Sequence, residues 1–327
     1  MFAVLNAVHA SPDYFTPLDG VAEIVQSDGV ALLSRQEMIE LGQKHEVAGF
    51  IVPGEAPIDV RMLDALPSLR VIANTAAGYN NLPLAEMATR GIWGTNTPEA
   101  FVDATADATL AILLGFARKV PAADAYLRRG TWEADGIKTA NWAGIELLGK
   151  TLGVVGYGKI GQAVRKRAEA FGMRVIYSRS QPDGHADNRD LTDLLAESDF
   201  VSLHTPLTDS TRHLIDAAAL KTMKPGAVLI NMARGPVVDE VALVDSLKSG
   251  HLGGAGLDVF EEEPRVHRDL LEMDNVVLTP HLGGATYESR KRARLTASEN
   301  VRQVLAGETP MNALNQPRSD SNRTFDT

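Results

Sequence analysis

The segment from Gly156 to Gly161 most constrains how this chain can fold. It reads Gly-Tyr-Gly-Lys-Ile-Gly, follows an apolar run and precedes a helical pattern. Strand, glycine turn and helix in this order are typical of a dinucleotide-binding βαβ unit. Gly156 permits a sharp turn, Gly158 lets a pyrophosphate approach the backbone, and Gly161 lets the helix pack close to the strand. A tight turn without a ligand is the alternative, but a second strand over 174–177 follows at the expected spacing.

The residues after this second strand indicate which dinucleotide is bound. An acidic residue there would accept hydrogen bonds from the ribose diol of NAD, but the chain has Ser178, Arg179 and Ser180. Arg179 can pair with the 2′-phosphate of NADP, and the two serine hydroxyls can donate hydrogen bonds to it. The first carboxylate beyond them is Asp183. We therefore predict NADP as the cofactor, with NADPH preferred over NADH; the alternative is that Arg179 is a solvated surface residue.

Composition excludes several classes of protein. With 327 residues the chain is long enough for two domains, and its net charge of -10 disfavours nucleic-acid and anionic-membrane partners. There are no cysteines, which excludes disulfides, thiolate metal sites and cysteine nucleophiles, and we expect no metal. No signal-peptide pattern is present, and no apolar run approaches the roughly 20 residues of a membrane span. We expect a cytoplasmic enzyme.

Strand and helix patterns alternate in two regions, which predicts an α/β protein with two doubly wound parallel sheets. The first sheet is predicted from strands at 2–5, 21–25, 49–52 and 70–73, with helices near 34–44, 58–65 and 84–89. A long helix from Pro98 to about 117 leaves this domain. The second sheet is predicted from strands at 153–155, 174–177, 200–203, 227–230, 255–258 and 276–278. A last helix over 288–305 returns to pack on the first domain, and 315–327 is predicted to be disordered.

Titratable side chains follow three of the predicted strands of the second sheet. They are Arg234, the acidic run Glu261-Glu262-Glu263, and His281. Because open α/β sheets bind ligands at the carboxyl ends of their strands, we expect these groups to converge. An arginine can hold a carboxylate by a bidentate pair, and a histidine whose pKa is raised by a carboxylate can protonate a carbonyl as hydride arrives. Taken singly, the arginine could cap a loop, the acidic run could be a solvated turn, and the histidine could be an ordinary loop residue.

Together with the glycine turn, these segments resemble the signature motifs of the D-isomer-specific 2-hydroxyacid dehydrogenase family. The similar segments, which occur in the family's order over nearly the whole chain, are 203–208, 231–235, 258–264 and 279–281. The resemblance implies a Rossmann nucleotide-binding domain, 99–286, inserted into a flavodoxin-like substrate domain, 1–98 plus 287–314. It also implies a homodimer through the nucleotide domain, and the arm around Trp132 and Trp142 is a candidate interface.

The resemblance also implies a substrate and a role for individual residues. The segment 178–180 is similar to the branch that reduces the 2-oxoacids glyoxylate and hydroxypyruvate with NADPH, and enzymes that reduce 2-ketogluconate look alike, so the substrate stays open. A non-catalytic dinucleotide-sensing protein of the same fold is the alternative function. The catalytic positions are Arg234, Glu263 and His281, and the substrate-binding positions are Ala76, Ala77, Gly78, Arg234 and His281. The cofactor-binding positions are Thr105, Gly156, Tyr157, Gly158, Lys159, Ile160, Gly161, Ser178, Arg179, Ser180, His204, Thr205, Pro206, Ala233, Asp258 and Gly283. The chain departs from the family pattern at Asn80, where Asp is usual, and this bears on how the substrate loop is anchored.

Overall fold

The computed structural model describes residues 1–8, 11–26, 33–136, 142–181 and 183–317. The chain divides into two compact units. Unit 1 combines Met1–Phe101 with the residues from Ala285 onward, and unit 2 is the continuous stretch Val102–Gly284. Both units are parallel α/β domains, so the predicted fold class is confirmed.

Eleven strands and twelve α-helices lie within the described residues. The strands are β1 (Phe2–Asn6), β2 (Ala22–Gln26), β3 (Gly49–Val52), β4 (Val71–Asn74), β5 (Trp93–Thr95), β6 (Thr151–Val155), β7 (Arg174–Ser178), β8 (Phe200–Leu203), β9 (Val228–Asn231), β10 (Gly254–Leu257) and β11 (Val276–Leu278). The helices are α1 (Arg35–Lys44), α2 (Val60–Ala65), α3 (Leu84–Thr89), α4 (Val102–Ala117), α5 (Val120–Arg128), α6 (Thr131–Asp135), α7 (Lys159–Ala170), α8 (Leu191–Glu197), α9 (Ala217–Thr222), α10 (Glu240–Lys248), α11 (Arg268–Glu272) and α12 (Tyr287–Leu305).

The sheet of unit 1 has the strand order β2-β1-β3-β4-β5, with every pair parallel. This is the flavodoxin-like order. Successive residues of β3 point to opposite faces, so Phe50 packs with the core under α1 and α2, whereas Ile51 packs with Ala297 and Val301 of α12. Because both faces are covered, the strand is a continuous apolar run rather than an alternating one.

The sheet of unit 2 has the order β11-β10-β9-β8-β6-β7, again with every pair parallel. Both neighbours of β6, the strands β7 and β8, follow it in the sequence, so the order reverses there. Such a switch point is where open α/β sheets bind ligands. The glycine turn begins directly after β6, and the fold therefore places it where a dinucleotide is expected.

One helical stretch among the described residues, Pro98–Ala117, is long and apolar enough to cross a membrane by those two criteria alone. Half of its most apolar 18-residue window is buried inside the structure. A Cβ at Gly256 of β10 would collide with Ile112, so the missing side chain lets α4 lie directly on the sheet. We interpret α4 as a core helix, a kind of helix that passes the same test.

Two predictions for the first domain need correction. The edge strand β5 was not predicted, because it has only three residues and a central glycine. Asn315 was placed in a disordered tail, but its side chain accepts a hydrogen bond from the N–H of Gly94 at 2.8 Å and donates to the carbonyls of Leu84 and Ile92. It therefore belongs to the edge of this sheet; residues 318–327 lie outside the described residues.

Candidate active site

The three glycines of the turn occupy three different environments. Gly156 has φ +92°, and a Cβ there would lie 2.7 Å from the carbonyl group of His204. A Cβ at Gly161 would collide with the carbonyl of Gly156, so this glycine sets how closely α7 approaches the strand. Among the described residues, no atom lies within 4 Å of a Cβ built at Gly158, and this glycine begins α7 without a side-chain capping hydrogen bond. Open backbone at an uncapped helix N-terminus fits a pyrophosphate.

The other residues of the turn are held by packing. The ring of Tyr157 stacks on that of Tyr177, with centroids 3.6 Å apart, and Ile160 packs against the core beneath α7. Lys159 is exposed at the first position of the helix. The turn is thus fixed to the sheet through its side chains while its backbone faces outward.

The end of β7 lies beside the glycine turn, where the N–H of Gly156 donates to the carbonyl of Ser178 at 2.9 Å. Arg179 and Ser180 follow on the surface, where their side chains are exposed. Arg179 is not isolated, however, because its guanidinium forms an ion pair of 3.1 Å with Asp183.

The segment after β8 forms the other wall of the turn. The N–H of His204 donates to the carbonyl of Val155 at 2.7 Å, and the N–H of Thr205 faces Gly156. The carbonyl of Pro206 accepts a hydrogen bond from the hydroxyl of Thr211 at 2.6 Å. Burial lowers the pKa of His204 to about 3, so its ring is neutral at physiological pH, and its Nε2 lies 2.8 Å from the hydroxyl of Ser202.

Arg234 lies on a turn built by Asn231, the last residue of β9. The buried amide of Asn231 accepts from the N–H of Ala233 at 3.0 Å and donates to the carbonyl of Arg234 at 3.1 Å. Gly235 then packs so tightly on the carbonyl of Phe260 that a Cβ would collide with it. The arginine turn is therefore locked against the turn that carries Glu263.

Glu263 and His281 form a dyad, with Oε2 of the carboxylate 2.9 Å from Nδ1 of the ring. The hydrogen bond that His281 donates to Glu263 raises the pKa of His281 above its ordinary value, against a lowering by burial and by the charge of Arg234. Burial alone would raise the pKa of Glu263, but hydrogen bonds from His281 and from the N–H of Phe260 outweigh it and lower that pKa. Since the carboxylate engages Nδ1, Nε2 is the ring nitrogen left to transfer a proton.

Asp258 is buried and binds the backbone of the histidine loop. Its Oδ1 accepts from the hydroxyl of Thr279 at 2.6 Å and from the N–H of Leu282 at 2.8 Å, and its Oδ2 accepts from the N–H of Gly283 at 2.8 Å. A Cβ at Gly283 would lie 3.7 Å from the methyl group of Thr105. The predicted cofactor residues Thr105, Asp258 and Gly283 are thus neighbours, and Asp258 also positions the loop that carries His281.

The predicted substrate loop belongs to unit 1 and follows β4. Its carbonyls are turned toward the domain: that of Ala76 accepts from the N–H of Thr97, that of Ala77 from the amide of Asn96, and that of Gly78 from the amide of Asn74.

The same loop is anchored without the family's usual aspartate. Asn80 is exposed, and Asn81 instead accepts from Asn74 at 2.9 Å and donates to the carbonyl of Ala56.

Sequence analysis missed the residues that position these turns, namely Asn74, Asn231 and Thr279. The first two are fully or almost fully buried polar residues at the last position of a strand. That placement was an available signal, because a buried amide requires hydrogen-bond partners and the backbone of the following turn can supply them.

A family model described as D-isomer specific 2-hydroxyacid dehydrogenase, NAD binding domain, matches residues 110–283. This range lies within unit 2 and contains the glycine turn, Arg234, Glu263 and His281. The matched range therefore includes the turns that carry these residues.

Individual relatives match over most of the chain. The glyoxylate reductase of Thermococcus litoralis is 45% identical over 284 residues, 84% of this chain and 86% of the relative. That of Pyrococcus furiosus is 42% identical over 292 residues, 87% of this chain and 86% of the relative. Among solved structures, the NADPH-dependent glyoxylate/hydroxypyruvate reductase of Sinorhizobium meliloti, in complex with NADP and malonate, is 32% identical with a TM-score of 0.83. The match covers 96% of this chain and 97% of that one.

Proposed function

Because the chain belongs to the D-isomer-specific 2-hydroxyacid dehydrogenase family, we propose that it reduces a small 2-oxoacid to the D-2-hydroxyacid with NADPH. Glyoxylate and hydroxypyruvate are the first candidate substrates, and 2-ketogluconate is the next. The relatives named glyoxylate reductase support a short 2-oxoacid, and the NADP-bound neighbour supports the choice of NADPH.

The observation that carries this proposal is the hydrogen bond of 2.9 Å between Glu263 and Nδ1 of His281. It raises the pKa of the imidazole, so more of the histidine is protonated near neutral pH and able to act as an acid. A carboxylate beside a surface histidine would have the same effect without a function. Here, however, Arg234 is close enough for its charge to act on both partners of the dyad.

Each candidate site residue has its own role in the proposed reaction. When bound, NADPH supplies the hydride that reduces the carbonyl carbon. Arg234 binds the carboxylate of the oxoacid through its planar guanidinium, which can form two parallel hydrogen bonds. His281 donates the Nε2 proton to the carbonyl oxygen as negative charge develops there, and Glu263 stabilises the imidazolium. Asp258 keeps the histidine loop in place through the hydrogen bonds described above.

A panel of 2-oxoacids tests the proposal, with NADPH or NADH oxidation followed by absorbance. We expect turnover with glyoxylate or hydroxypyruvate and a higher kcat/KM with NADPH than with NADH. Arg234→Lys is the matched variant, because it keeps the charge but loses the fork, and it should lose most of the activity. No turnover with any member of the panel would contradict the proposal and favour the non-catalytic, dinucleotide-sensing alternative.

A further inference from the structure

The carboxylate of Asp183 is fixed in place by four hydrogen-bond donors. Its Oδ2 accepts from the hydroxyl of Tyr177 at 2.8 Å and from the guanidinium of Arg179 at 3.1 Å. Its Oδ1 accepts from the N–H of His185 at 3.1 Å and from the amide of Asn188 at 3.3 Å. The hydrogen bond from the His185 backbone contributes most to lowering the pKa of Asp183 to about 2. The group is therefore charged at neutral pH and cannot swing aside without losing several partners.

This fixed charge lies where the adenosine end of a dinucleotide is expected. Ser178 ends β7 and is bonded to the glycine turn, and Arg179 is the next residue. In this fold the end of the second strand meets the adenosine ribose. The side chain of Arg179 is 42% exposed and so accessible to a ligand, yet it is already paired with Asp183.

A 2′-phosphate that binds Arg179 must share this cation with a carboxylate. Phosphate carries close to two negative charges at neutral pH and would be repelled by Asp183. The ribose diol of NADH carries no charge, and a carboxylate can accept hydrogen bonds from it. Near a protein surface, like charges a few ångströms apart repel strongly enough to change an equilibrium about 10-fold. Asp183 therefore opposes NADPH and does not oppose NADH.

We propose that Asp183 is a cofactor-selectivity residue, which restrains Arg179 and lowers the preference for NADP over NAD so that NADH stays usable. The inference rests on the proposed function only in assigning the 2′-phosphate to Arg179.

The test is Asp183→Asn, which keeps the shape of the side chain but removes its charge. Its affinity for adenosine 2′,5′-bisphosphate should rise about 10-fold by calorimetry, while that for 5′-AMP should change less than about 2-fold. The ratio of kcat/KM with NADPH to that with NADH should rise by a similar factor, through a lower KM for NADPH. Asp193→Asn is the control, because it removes an exposed carboxylate from α8 of the same unit. It should change neither the affinity for adenosine 2′,5′-bisphosphate nor the ratio of kcat/KM with NADPH to that with NADH.

Two more variants keep the outcome interpretable. Asp183→Ser removes the charge with a different side chain, so it should give the same change even if the asparagine variant is poorly folded. Adding Arg179→Ala to Asp183→Asn should remove most of the preference for adenosine 2′,5′-bisphosphate over 5′-AMP, because the 2′-phosphate then lacks its cation. A ratio that is unchanged or lower in both Asp183 variants overturns the inference. The two nucleotides bind without any oxoacid, so failure of the proposed reaction would show in the substrate panel and not in this measurement.

Discussion

At the scale of single residues, the three glycines of the turn differ in whether packing within the protein requires them. Gly156 and Gly161 are glycines because protein atoms occupy the space of a Cβ, whereas Gly158 has open space around it and ordinary extended backbone. The fold alone would tolerate a side chain at Gly158. We therefore propose that a ligand approaching the backbone accounts for the glycine at this position, and the same argument does not hold for the other two.

This difference predicts opposite behaviour for two alanine variants. Gly158→Ala should keep the Tm of the free protein but lose most of the increase in Tm that NADPH produces, because the added methyl group faces the ligand. Gly161→Ala should lower the Tm of the free protein, since its Cβ collides with the carbonyl of Gly156 and overpacking of this kind costs about 1–3 kcal/mol. Thermal unfolding with and without NADPH checks both. A destabilised Gly158→Ala protein would contradict the assignment of that space to a ligand.

The catalytic dyad predicts a pH dependence with a definite sign. Reduction needs protonated His281, so kcat/KM should fall as pH rises through the raised pKa of the histidine. Glu263→Gln removes the charge that raises this pKa, so the fall should begin at lower pH. His281→Ala should lose about 100- to 10,000-fold in kcat.

The measurement is the pH profile of kcat/KM for the wild type and Glu263→Gln, with an isotope effect from deuterated NADPH showing that hydride transfer limits the rate. NADPH binding to His281→Ala is the control, and it should persist because the glycine turn is untouched. If the pH at which kcat/KM falls is unchanged or higher in Glu263→Gln, then Glu263 does not stabilise the imidazolium of His281 as proposed.

At the scale of helices and strands, the sequence predicted most elements to within one or two residues. The doubly wound sheets make this possible, because strands buried on both faces are apolar runs bounded by turns. The helix predicted to begin at residue 58 begins two residues later, at Val60. Asp59 is its N-cap, because its side chain accepts a hydrogen bond from the N–H of Met62. The missed strand β5 has too short a run to carry a pattern, and it is defined by hydrogen bonding to β4 and to the segment at Ala313 and Leu314.

The arm formed by α5 and α6 carries a prediction of its own. Trp142 packs edge-on against Tyr126, with ring centroids 5.0 Å apart. By contrast, the side chain of Trp132 is 48% exposed, and those of Leu127 and Val120 are exposed to a similar degree. We predict that this apolar surface contacts a second copy of the chain in a homodimer.

Trp132→Glu should then shift the protein toward monomer in light scattering after gel filtration, because a buried carboxylate without a partner is costly at an interface. Glu133→Gln, at the exposed neighbouring position, is the matched control and should stay dimeric. A wild-type protein that is monomeric at all concentrations would contradict the prediction.

At the scale of the whole molecule, the motifs indicated which residues are candidates for the site but not which contacts hold them in place. The dyad of Glu263 and His281 was predicted, since two motif residues at the ends of neighbouring strands are expected to meet. The ion pair of Arg179 with Asp183 was not, because it depends on the path of an irregular loop, for which no periodicity exists. The same holds for Asn315, whose role is set by contacts with residues more than 220 positions away in the chain.

The composition of unit 1 from both ends of the chain has a consequence for how the protein is made. Its sheet comes from Met1–Phe101, but one face, which includes Ile51 and Ala73, is covered by α12. A ribosome releases this sheet long before α12, and the whole of unit 2 is synthesised in between. Unit 2 is contiguous and can complete its core as it emerges from the ribosome. The first hundred residues instead leave one apolar face of their sheet exposed until α12 has been synthesised. The nascent chain should therefore depend on chaperones at its beginning rather than at its end.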